Sequence, residues 1–98
     1  MRFVATLEHS PDNCWAREHN QDTARAWLGG LSHRAEEHGV ALHGAYAAPN
    51  EHSFTFVMEA ETFDAVSGFL GQPFLQDHDG DVVPVLSIEE VVDTVLED

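Results

Sequence analysis

Residue types that bind metals or move protons crowd into one short stretch, "EHSPDNCW", residues 8–15. It holds a carboxylate at Glu8, an imidazole at His9 and the chain's single cysteine, Cys14. His9 closes a strand-like run, and a second imidazole, His52, opens a later one. Antiparallel pairing of those two strands sets His9 beside His52, and Cys14 can fold back toward both. Two imidazoles and a thiolate suit zinc, nickel or copper, and three protein ligands with one open position are the usual pattern of catalytic zinc. The candidate cofactor is therefore a divalent transition metal on His9, Cys14 and His52. The competing reading is structural. The spacing matches no paired C-x-x-C signature, Asp12 and Asn13 are turn formers, Pro11 stiffens the turn, and Cys14 serves as a small buried hydrophobe.

A second constellation pairs Glu8 with His43. A carboxylate that orients an imidazole makes a general base, or else a satisfied polar contact at an interface between protomers. The remaining imidazoles, His19, His33, His38 and His78, fall in loops or on polar helix faces and read as surface residues. The "DHDGD" run, residues 77–81, lacks the glutamate a calcium loop needs at its twelfth position, where Ile88 stands, so it reads as a solvated turn. No Gly-rich phosphate loop or nucleophile elbow is visible. Cys14 as a nucleophile would need an electropositive setting, and acids surround it in sequence.

These residues need elements to hold them. Residues 2–8, "RFVATLE", alternate as a strand, and residues 9–20 form a loop. Ala24, Trp27, Leu28, Leu31 and Ala35 recur at helical spacing from about Asp22 to His38, with Gly39 as the stop. Gly29 and Gly30 inside that run imply close packing on a sheet, or a break. Residues 40–47 and 53–60 read as a hairpin joined by "APNEH". Thr62 caps a helix over 63–71 that buries Phe63, Val66, Phe69 and Leu70. "GQPFLQDHDGD" reads as irregular, "DVVPVLS" as an edge strand because of Pro84, and Ser87 with Glu90 as a capping box for a last helix. The order β-α-β-β-α-β is the ferredoxin-like α+β arrangement, one domain over 1–98.

Two helices cover one face of a four-stranded sheet. A hairpin symmetric about residue 50 pairs Tyr46 with Phe54, Gly44 with Phe56 and Leu42 with Met58, which makes that the helix-packed face. Ala41, His43, Ala45, Thr55, Val57 and Glu59 then share the open face with Thr6 and Glu8. It is mixed in polarity and reads as a cavity lining or a contact between two copies.

The order of elements, with "LEHSPDNC", "EAETFDAVSGFL" and "PVLSIEEV", resembles a family of small prokaryotic proteins related to the dimeric α/β-barrel superfamily. That superfamily includes muconolactone isomerase and antibiotic-biosynthesis monooxygenases. The resemblance implies a homodimer whose open sheet faces enclose a barrel with a small-molecule pocket. It implies no particular reaction, since one fold hosts many chemistries.

Eighteen acids, four Arg and no Lys give a net charge of −14, spread along the whole chain. Such a surface repels itself at low ionic strength, and molar salt screens it within about 3 Å, so the composition resembles that of salt-in halophiles. It excludes nucleic-acid and anionic-membrane partners. No apolar run spans a bilayer, the N-terminus lacks a signal-peptide pattern, and a single Cys forms no internal disulfide, so a cytoplasmic location is expected. The leading expectation is a salt-adapted dimer binding a small molecule through His9, His43, Thr55 and Val57. A cofactor-free isomerase or monooxygenase-type enzyme using His43 with Glu8 or His9 is the alternative, and a metal-binding module the third.

Overall fold

In the computed structural model, which describes residues 1–96, four strands form one antiparallel sheet in the order β2-β3-β1-β4. They are β1 (Arg2–Glu8), β2 (Ala41–Ala48), β3 (Ser53–Glu59) and β4 (Asp79–Val85). The helices are α1 (Gln21–Gly29), α2 (Leu31–Glu37), α3 (Phe63–Leu70), α4 (Phe74–Asp77) and α5 (Ile88–Thr94). This is the ferredoxin-like α+β arrangement expected from the sequence. β1 and β3 are central, and their alternation puts Phe3, Ala5 and Leu7 with Phe54, Phe56 and Met58 under the helices. Val66, Phe69 and Leu70 of α3 and Trp27 of α1 complete the core. No helix of the described residues is long and apolar enough to cross a membrane.

The expected single helix is two. It breaks at Gly30, and Arg34 seals the break: its Nη2 donates to the Trp27 carbonyl at 2.8 Å and its Nε to the Phe69 carbonyl at 3.2 Å. The guanidinium lies 4.2 Å above the Trp27 ring, so one side chain ties α1, α2 and α3 together. Thr62 caps α3 by accepting from Ala65 N, and Ser87 and Glu90 form the capping box of α5. Pro84 sits on the edge strand β4, where a missing donor costs no ladder bond.

Three expectations need correction. The "GQPFLQDHDGD" segment is not irregular; it contains α4, and β4 begins at Asp79. Phe63 begins α3 half exposed instead of buried. The hairpin register is the third. Leu42 faces Met58 as expected, but a β-bulge between Leu42 and Gly44 shifts every later rung by one. Ala47 therefore opposes Phe54, and Ala45 opposes Phe56. A one-residue shift turns every following side chain to the other face. Tyr46 leaves the helix side and stands 65% exposed on the open face, while Ala45 leaves the open face. Tyr46 lies over Gly44, where an added Cβ would meet its ring at 2.6 Å, so this stacking requires glycine. Two alanines now occupy the helix side of β2 where a tyrosine was expected, and the volume is left as space beside Phe54.

Candidate metal centre

The expected cluster assembles at the strand end where β1 finishes and β3 starts. His9 follows β1, and its backbone N–H donates to the His52 carbonyl at 3.0 Å, adding one rung beyond the sheet. His52 follows the 3-10 turn Pro49–Glu51 in the left-handed conformation, φ 52° and ψ 43°, which is uncommon for a residue with a Cβ. That conformation closes the hairpin and brings the two rings to 5.4 Å. Cys14 comes from the loop. Pro11 starts a 3-10 turn, Cys14 N donates to the Pro11 carbonyl, and Arg17 Nε closes over the same carbonyl at 2.8 Å. Asn20 Nδ2 donates to the Cys14 carbonyl at 3.1 Å, so the loop is folded back by its own polar side chains. One ligand atom each from His9, Cys14 and His52 then lie within 4.8 Å of one another.

His9 Nδ1, His9 Nε2 and His52 Nδ1 are buried with no hydrogen-bond partner among the described residues. Buried polar atoms left in that state cost stability, on the order of 1–3 kcal/mol each, which folded chains ordinarily avoid. Burial, then the nearby imidazoles of His78 and His52, hold the His9 pKa below its ordinary 6.5. The neutral ring that results is the form that binds metals.

A fourth imidazole belongs to this cluster and was read as a surface residue. His78 is 3% exposed, its ring 4.8 Å from that of His9 and stacked on Phe74 at 4.1 Å. Its Nδ1–H donates to the Phe74 carbonyl at 2.9 Å, which leaves Nε2 a bare, buried acceptor with no partner among the described residues. Burial lowers its pKa too, against the raising effect of that hydrogen bond and of Asp77 and Asp79. The three acids and glycine of "QDHDGD" hid it. The available signal was Phe74, four residues earlier, at one helical turn. Trp15 was also missed; it packs edge-on against His78 and Trp27 and donates from Nε1 to Asp77 at 3.3 Å.

The remaining candidates lie elsewhere. His43, the bulge residue, bonds Glu59 at 3.0 Å. Glu8 sits opposite Ser53, six residues away along β3, which is about 20 Å at strand spacing, so Glu8 and His43 do not meet. Thr55 and Val57 are on the open face, opposite Thr6 and Val4. His9, Cys14 and His52 instead line a cavity of about 400 Å³ on the helix side, closed by Trp15, Leu28 and Ala47 among others.

A family model described as a domain of unknown function, DUF3303, matches residues 1–97. The chain belongs to the DUF3303 family. No curated protein and no solved structure matches it. For a DUF3303 chain the chemistry must therefore be argued from the cluster itself: two imidazoles, a cysteine sulfur, and a largely apolar cavity against them.

Proposed function

We propose that the protein binds a divalent transition metal through His9, Cys14 and His52. The observation that carries this is the convergence of three ligand atoms within 4.8 Å, with three of the ring nitrogens buried and unpartnered. Tetrahedral zinc at its usual ligand distances would draw such atoms to about 3.3–3.8 Å apart, a contraction of roughly 1 Å that side-chain rotation can supply. A turn whose only purpose was structural would have no use for bare nitrogens. The test is Co²⁺ titration of the purified chain in high salt, which screens adventitious binding to the many carboxylates. One equivalent with a sulfur-to-metal charge-transfer band, lost in Cys14→Ser, is expected. Uptake no greater than in the triple variant His9→Ala/Cys14→Ser/His52→Ala would end the proposal.

A second reading concerns a small-molecule ligand, and the 400 Å³ cavity supports it. On the other side of the sheet, Gly44, Val57, Val4 and Val83 form one row across all four strands. That row, and the exposed Ile88 and Val92 of α5 with Val95 just after it, favour a homodimer that covers the open face. The charge of −14 without Lys favours a salt-adapted, cytoplasmic protein.

A further inference from the structure

The open coordination position of the proposed centre has a defined surrounding, and it narrows the ligand. All three metal-ligating side chains form part of the wall of one cavity. The rest of the wall includes Trp15, Leu28, Ala47 and Phe54, and among the described residues no carboxylate or guanidinium lines it. A metal held by three protein ligands would keep a fourth position for water or a ligand, and here that position borders the apolar space. At about 400 Å³ the cavity falls in the lower range of small-molecule pockets. The net charge of −14 opposes an anion, and beyond the metal itself no cationic side chain of the described residues lines the cavity to hold an anionic body. Resting on the metal reading above, we infer that the site takes a compact, uncharged, mostly apolar molecule carrying one metal-binding head, such as an azole, with its body against Leu28, Ala47 and Trp15.

The probes are imidazole and 4-phenylimidazole, added to the Co²⁺-loaded chain and followed by the cobalt spectrum. Both offer the same donor, and only the second has a body to bury. The phenyl group should tighten binding by ~10-fold or more, from the apolar area it removes from water. Ala47→Phe fills the cavity from the exposed edge of β2 and should bring the two probes within about threefold while leaving the Co²⁺ affinity unchanged. Leu28→Phe, from partly exposed α1, is the second filling variant should the first fold poorly. If Co²⁺ binds and the two probes perturb its spectrum equally, or neither does, the ligand inference is overturned and the metal reading stands. If Co²⁺ is not taken up at all, both are overturned together.

Discussion

His9 costs the fold stability as it stands, and replacing it exposes what it is for. Both of its nitrogens are buried in a setting of aromatic rings, with no hydrogen-bond partner among the described residues. His9→Phe keeps a ring of similar size and removes two orphaned polar atoms; it should stabilise the metal-free chain by ~1 kcal/mol while abolishing metal uptake. A melting temperature that falls would show that His9 is bonded structurally after all. In the proposed metal site, His78 would act through His9, whose ring lies 4.8 Å from its own. Its tautomer, fixed by the Phe74 carbonyl, leaves Nε2 able to accept the second N–H of a metal-bound His9. His78→Phe should weaken Co²⁺ binding ~10-fold or more, and the acceptor-bearing His78→Gln should lose less. Proton linkage has a definite sign here. The folded-state pKa values of His9 and His78 lie below the ordinary 6.5, so the unfolded chain takes up protons first as pH falls. Stability should be full above pH 6.5 and decline below it, toward the folded values. Denaturant melts at a series of pH values should show a shallower decline in His9→Phe than in wild type.

At the scale of elements, Arg34 is the connection to break. Arg34→Met keeps the apolar stem over Trp27 and removes both carbonyl bonds and the cation, and it should cost about 2 kcal/mol in denaturant melts. A loss under ~0.5 kcal/mol would mean that the α1–α2 break is held by packing alone. How far the sequence revealed these elements depended on the signal each one leaves. β1 was legible to the residue because apolar Phe3, Ala5 and Leu7 alternate with Arg2, Val4, Thr6 and Glu8 in "RFVATLE". Antiparallel pairing then made the His9–His52 approach foreseeable without side-chain detail. β2 was not legible in register. "ALHGAYAA" is so rich in small residues that its alternation does not reveal an inserted one, and the bulge at His43 changes which face Tyr46 occupies. The cavity follows from that bulge, so it was invisible for the same reason. His78 was hidden because its burial is tertiary: α4 carries Phe74 beneath it, while its sequence neighbours are acids.

For the whole molecule, charge and the uncovered sheet face set the expectations. Melting temperature should climb steeply between low and molar KCl, since screening removes self-repulsion among 18 acids; a flat profile would remove the halophile inference and leave the fold intact. Light scattering in high salt should give twice the chain mass, and Val57→Arg, at the centre of the valine row, should give monomer or aggregate. The division of the metal centre between two kinds of backbone also governs how quickly it closes. His9 extends β1 and His52 abuts β3, the two strands paired on both sides, whereas Cys14 hangs on a loop of short 3-10 turns. Amide hydrogens of the central strands open only with large-scale unfolding, and those of such a loop open locally. In the proposed metal site the imidazole pair would thus be held ready, and the Cys14 sulfur would arrive afterward. Hydrogen–deuterium exchange should slow on metal binding across the loop between Ser10 and Asn20, with β1 and β3 unchanged, and the rate of that loop's closure, more than the encounter with the ion, should limit metal uptake.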